Sequence, residues 1–169
     1  MEFTEQELED YLMEYSSVVI GKQEIYIIDR QVNLSNYKVD LVGKDFDGNI
    51  YLFELKKGNI DGNALSQLLN YIDYAQTFNK YKTKKIFGIL VGSGITEYMK
   101  SALKTLPNIF YLKATPIFSI DEQTYSFTEE YLNGKEFKKN VLAFNKLFKG
   151  SEREDVEKFE RSKMDQDNN

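Results

Sequence analysis

The sequence predicts an α/β domain whose core runs helix, three strands, helix, strand, with a central mixed sheet flanked by helices and a further hairpin and helix toward the C-terminus. Three observations carry this expectation. Apolar residues recur at helical spacing near the start and again after Asp61. Between those helices lie three stretches rich in Ile, Val, Tyr and Phe, separated by turn residues. A short, almost wholly apolar run then follows at residues 86–91, the pattern of a strand buried on both faces.

Thr4 with Glu7 three positions on has the form of a capping box, and Leu8, Tyr11, Leu12 and Tyr15 follow at helical spacing, so a first helix is expected over 4–15. The three strands are expected at 24–32, 37–43 and 49–57. An Asp47-Gly48 pair between the last two suits a tight hairpin and makes them antiparallel neighbours. Asp61 can cap a second helix reaching about residue 79, with Leu65, Leu68, Leu69, Ile72 and Ala75 on one stripe. The run at 86–91 gives a strand, 95–106 a helix and 109–112 a short strand. A hairpin is expected within 117–127 and a helix over 137–148, with Val141, Phe144, Leu147 and Phe148 facing inward. Residues 1–150 read as one domain and 151–169 as a mobile charged tail without apolar periodicity.

Composition narrows the chemistry. The 169 residues include no Cys and no His, which excludes disulfides, thiolate nucleophiles, zinc fingers, serine-type triads and imidazole bases. Catalysis must then come from carboxylates, Lys, Tyr or a hydroxyl, and a bound metal would have oxygen ligands, as Mg²⁺ or Mn²⁺ prefers. No apolar run approaches membrane-spanning length, and the acidic start is unlike a secretory signal, so a cytoplasmic protein is expected. The formal charge is −5, of which the tail, with seven acidic and four basic residues, holds −3. The body is therefore close to neutral. Local basic groups remain at Lys80, Lys82, Lys84 and Lys85 and at Lys135, Lys138 and Lys139, which can attract polyanions or simply be solvated.

The segments Val39-Asp40-Leu41-Val42-Gly43 and Leu52-Phe53-Glu54-Leu55-Lys56-Lys57 carry the strongest chemical signal. Residues two apart on a strand share a face, so Glu54 and Lys56 project together while Phe53 and Leu55 face the other way. Antiparallel pairing brings the start of the Asp40 strand to the end of the Glu54 strand. Two carboxylates and an amine would then converge, a set able to hold a hard divalent ion and hydrolyse a phosphodiester without histidine. Taken alone, Glu-Leu-Lys is also the ordinary alternation of a strand with one solvated face. Gly92-Ser93-Gly94 lacks the remaining residues of a phosphate-binding loop and reads as a simple turn.

Asp40 precedes Glu54 by 14 positions inside the αβββαβ order, and the following helix carries Gln67-Leu68-Leu69-Asn70-Tyr71. In these features the sequence resembles the PD-(D/E)XK nuclease superfamily, in the branch with a Gln-x-x-x-Tyr motif seen in RecB-like and NucS-type endonucleases. The resemblance covers roughly residues 5–92. It implies a restriction-endonuclease-like core in which Asp40, Glu54, Lys56 and Gln67 are catalytic. Asp40, Glu54, the Leu55 carbonyl and Glu9 would hold Mg²⁺ or Mn²⁺, and Tyr71, Arg30 and Gln31 would meet the substrate. Val39 stands where the superfamily name has Pro, which leaves the chemistry untouched. Glu9 reads equally as one more charge on an acidic helix face, and Gln67 with Tyr71 alone would be a helix-surface pair.

The function so implied is metal-dependent hydrolysis of nucleic acid, DNA before RNA, by an endo- or exonuclease of repair, restriction or mobile-element biology. A homodimer is among the expectations, since a small nuclease often pairs to cut both strands. The rival, from a different class, is a nuclease-like fold acting as a protein-binding inhibitor or assembly partner without cleavage.

Overall fold

The computed structural model describes residues 4–20, 22–118, 123–130 and 139–143. Helix α1 (Glu5–Tyr15) begins as expected: the Thr4 hydroxyl accepts the Glu7 N–H at 3.1 Å, and the Glu7 carboxylate accepts the Thr4 N–H at 2.7 Å. Leu8, Tyr11 and Leu12 form its buried stripe. Strand β1 (Ser17–Ile20), not expected from the sequence, pairs antiparallel with β2 (Gln23–Leu34). Its run of three β-branched residues was the available signal.

Strand β2 continues the antiparallel meander into β3 (Tyr37–Lys44) and β4 (Ile50–Leu55). The β3–β4 turn has Gly48 at φ +81, a backbone conformation that favours glycine, with the Gly48 N–H donated to the Asp45 carbonyl at 3.1 Å. Helix α2 (Gly62–Thr77) is capped by Asp61, whose side chain accepts the Ala64 N–H at 2.9 Å. Strand β6 (Ile86–Gly92) lies parallel to β4, and β8 (Ile109–Phe118) parallel to β6. Strand β9 (Gln123–Glu130) folds back on β8 as the expected hairpin. Together with β10 (Lys139–Ala143) these make one mixed sheet in the order β1-β2-β3-β4-β6-β8-β9-β10.

Two apolar layers sandwich this sheet. Leu52, Leu68, Ile72, Leu90 and Met99 belong to the layer beneath α2 and α3 (Glu97–Leu103). Leu8, Leu12, Phe53, Ile89 and Val91 belong to the layer beneath α1. Alternate residues of β4 serve opposite layers, the arrangement expected of a central strand with helices on both faces. Among the described residues no helix is long and apolar enough to cross a membrane.

Several expectations are corrected. Helix α3 is shorter than 95–106: the Thr96 hydroxyl caps it by accepting the Met99 N–H at 3.2 Å, and Pro107 disfavours helical backbone at Leu106. The Gly-rich turn is part of a small parallel pairing between β5 (Asn59–Ile60) and β7 (Gly94–Ile95). A Cβ on Gly92 would lie 2.8 Å from the Gly58 carbonyl, and the Ser93 N–H is donated to that same carbonyl at 3.1 Å. The glycine thus serves close backbone approach. Of the helix expected over 137–148, residues 139–143 form β10 on the edge of β9. Val141 to Phe144 is a continuous apolar run, which helical spacing alone cannot distinguish from a strand. The remainder of that segment, and the expected tail from residue 151, lie outside the described residues.

Candidate active site

The β3–β4 ladder runs from Lys44↔Ile50 to Leu41↔Phe53. One further step of this register sets Asp40 across from Glu54, where Asp40 Oδ2 accepts the Leu55 N–H at 2.8 Å. The carbonyl of an extended residue projects from the same strand edge as its N–H, so the Leu55 carbonyl also borders Asp40. Ile50 and Leu52 point into the α2 layer, and Glu54 continues that series. Tyr71 of α2 faces it there, close enough for the Glu54 charge to act on the phenol. Tyr71 is held edge-on against Tyr37, ring centroids 6.0 Å apart.

Lys56 lies just beyond β4 but stays in register, its N–H donated to the Val91 carbonyl at 2.8 Å. Its Nζ is 2.8 Å from Glu54 Oε1. Glu54 is only 3% exposed, so the reading of Glu54 and Lys56 as two solvent-facing strand residues fails. Gln67, one turn before Tyr71 on α2, is exposed and makes no side-chain hydrogen bond among the described residues.

The electrostatics of this group are out of balance toward negative charge. Burial, followed by the Glu54 and Glu9 charges, pushes the Asp40 carboxyl up to about 6 against the pull of the Leu55 N–H and Lys56. Burial works against the Lys56 ammonium, yet its bond to Glu54 and the charges of Glu54, Glu5 and Asp40 outweigh it and hold the amine above its ordinary value. Burial, with the Glu54 and Asp40 carboxylates nearby, raises the Tyr71 phenol, so it remains a donor.

Glu9, Arg30 and Gln31 form a second group, on the α1 side. Glu9 is 4% exposed. Its Oε1 lies 2.6 Å from Arg30 Nη2, and its Oε2 accepts from the Gln31 amide. The sequence reading assigned Arg30 and Gln31 to substrate and Glu9 to metal; in this structure Arg30 and Gln31 both bind Glu9. It overlooked two acidic residues: Asp10, 3.0 Å from Arg30 Nη1, and Glu5, which accepts the Lys57 N–H at 3.2 Å. Glu5 and Glu9 are four apart on one helix face, and that spacing was the signal available.

The donor set fits a hard divalent ion. Asp40 and Glu54 stand across from one another on β3 and β4 with the Leu55 backbone against Asp40, which puts oxygen donors on adjoining strands where such an ion could be held. Among the described residues no group of three His, Cys, Asp or Glu stands in metal-ligand geometry, so phosphate and water oxygens would complete the shell.

The family of the endonuclease NucS C-terminal domain matches residues 4–117, a span holding every candidate site residue. The chain belongs to this family. NucS is one of the PD-(D/E)XK-like nucleases, the superfamily that the Asp40, Glu54 and Lys56 pattern resembles. Endonuclease NucS of Methanocaldococcus jannaschii is 36% identical over 77 residues, 46% of this chain and 28% of that protein. Endonuclease NucS of Pyrococcus abyssi is 33% identical over 102 residues, 60% of this chain and 38% of that protein. Among solved structures, a repair endonuclease from Pyrococcus abyssi is similar at TM-score 0.54 and 28% identity, covering 67% of this chain and 47% of that one. The EndoMS-dsDNA2 complex is similar at TM-score 0.56 and 26% identity, covering 67% and 46%. The chain thus spans less than half the length of each of these relatives.

Proposed function

We propose that this NucS-family chain is a Mg²⁺- or Mn²⁺-dependent deoxyribonuclease. The observation that carries this reading is the buried Glu54 carboxylate, set across from Asp40 and paired with Lys56. A fold freed from catalysis has no chemical use for such a group, which disfavours the inhibitor or assembly-partner reading. That one similar structure is a complex with double-stranded DNA favours DNA as substrate.

Asp40, Glu54 and the Leu55 carbonyl would hold the ion, with Glu9 as a further candidate ligand. A divalent ion there supplies Lewis acidity to a phosphoryl oxygen and lowers the pKa of water. The Lys56 ammonium, anchored on Glu54, orients the attacking water and offsets charge developing on the phosphoryl group. Tyr71 flanks the Glu54 carboxylate from α2. Gln67 can reach substrate or water from the exposed face of α2, and Arg30 can do so from the solvent edge on the α1 side, where Gln31 holds Glu9.

The test is incubation of the protein with labelled single-stranded, duplex and branched DNA, and with RNA, each in Mg²⁺, Mn²⁺ or EDTA. DNA should be cut with either metal and left intact in EDTA. Cleavage that persists in EDTA, or that is confined to RNA, overturns the proposal, as does no cleavage of any substrate.

A further inference from the structure

Successive side chains on a strand point to opposite faces, yet Arg30 and Gln31 both reach the Glu9 carboxylate. The reason lies in the backbone. Gln31 has φ 49, a left-handed conformation uncommon for a residue with a side chain. It falls between the pairs Arg30↔Leu41 and Val32↔Val39, the position facing Asp40. A kink directly beside the candidate metal site therefore turns two neighbouring side chains onto one buried acid. Unusual backbone of this kind persists where the surroundings enforce it, often at functional sites.

The two grips on Glu9 differ in kind. Gln31 is a neutral donor. Arg30 brings a charge, and its side chain is 37% exposed whereas that of Glu9 is 5% exposed. The guanidinium is shared with Asp10, itself 57% exposed, and so exposed a pair adds little hold. Arg30 thus stands at the solvent boundary with a planar fork suited to phosphate, while its present partner is an acid whose charge already acts on Asp40.

We propose that Arg30 is a positioning residue that couples nucleic-acid arrival to divalent-cation binding. Without nucleic acid it neutralises Glu9; an incoming phosphodiester draws the guanidinium away, and Glu9, still oriented by Gln31, adds its charge to the cation site of Asp40 and Glu54. The inference rests on the nuclease reading above, and it makes the coupling reciprocal: DNA raises cation affinity by the same factor as cation raises DNA affinity.

Ca²⁺ titrated calorimetrically into the protein, with and without a short DNA duplex, tests this without any turnover. Wild type should bind Ca²⁺ about tenfold more tightly with DNA present, within the usual range of such couplings. Arg30→Gln should bind Ca²⁺ more tightly than wild type without DNA and gain little when DNA is added. Should Arg30→Gln not fold, Arg30→Lys keeps the charge but loses the two-armed grip, and its coupling should shrink. Unchanged or weaker Ca²⁺ affinity in Arg30→Gln without DNA overturns the role of Arg30, as does wild-type coupling in Arg30→Lys. Both leave the nuclease reading standing. If wild type binds no Ca²⁺ in either state, the metal site itself falls and this inference falls with it.

Discussion

At the turn end of the β3–β4 hairpin Asp45 is 4% exposed, and at its open end Glu54 is 3% exposed. Asp45 accepts the Asn49 N–H at 2.9 Å, the Asn49 side-chain amide at 2.8 Å and the Tyr51 hydroxyl at 2.9 Å. All three donors are neutral and lie within six residues along the chain. Glu54 instead meets Lys56 from its own strand end and Tyr71 from α2, with Asp40 of β3 close by and Glu9 of α1 beyond it. The turn satisfies its acid locally and completely. The open end gathers like charges from distant elements, an arrangement that lowers stability unless something else uses it. On the proposed function one carboxylate belongs to the fold and the other to the chemistry.

Substitutions at the two ends should separate these roles, and here the largest effect is expected. Asp40→Ala or Glu54→Ala should reduce DNA cleavage to background while the thermal melt stays cooperative, because each removes a proposed ion ligand from a place where like charges crowd. Asp45→Ala should do the opposite. It strands the Tyr51 hydroxyl and the Asn49 donors, costing about 1 to 3 kcal/mol of stability, with cleavage per folded molecule retained. Near wild-type cleavage by Asp40→Ala, or a folded but inactive Asp45→Ala, would erase the distinction.

The two ends were not equally legible in the sequence. Period-two spacing put Glu54 and Lys56 on one face, and the Asp-Gly turn gave the pairing that brings Asp40 to them; both follow from local geometry. Tyr71 could be placed through its spacing from Gln67, although of the two only Tyr71 is buried beside Glu54. Nothing local announces that Gln31 takes a left-handed backbone, or that Arg30 grips Glu9 some 20 residues away, because such contacts depend on how α1 packs across β2. Strand β1 was missed for a related reason: four residues are too short for periodicity to register, and the pairing with β2 stabilises them. Short apolar runs are ambiguous in the same way at β10, where edge pairing with β9 takes residues expected to be helical.

The next effect in size sharpens the chemistry of the open end. Lys56→Met should lower the cleavage rate on the order of 10² to 10³, the usual cost of one catalytic electrostatic contact, while affinity for DNA changes little. The ammonium is tied to Glu54 at 2.8 Å, so its charge acts chiefly on the reacting atoms, and a contact made mainly in the transition state appears in the rate. Binding is measured in Ca²⁺ and cleavage in Mg²⁺ at one ionic strength. Affinity that falls in proportion to rate would make Lys56 a phosphate-binding residue.

The smallest effect is a pH dependence of stability that the open end should show through Asp40. The Asp40 carboxyl titrates at about 6 in the folded protein against an ordinary 3.8, chiefly because it is buried. Between those values the folded state holds a proton that the unfolded chain has released. Its stabilising contribution is therefore full below about pH 4 and is lost as pH rises through 6, a change of about 2 to 3 kcal/mol. Acid-strengthened stability is the reverse of what a salt-bridged carboxylate gives. Other groups contribute slopes of their own, so the measurement is a difference: urea unfolding of wild type and Asp40→Asn from pH 4 to 7 in EDTA. The stability of wild type relative to Asp40→Asn should decline across that range. A divalent ion competes with the proton for the same oxygens, so Mg²⁺ should flatten the decline by stabilising the ionised form at the higher pH. A difference that is level with pH in EDTA would mean that burial does not hold a proton on Asp40, and the contrast between the two ends of the hairpin would fail at its central residue.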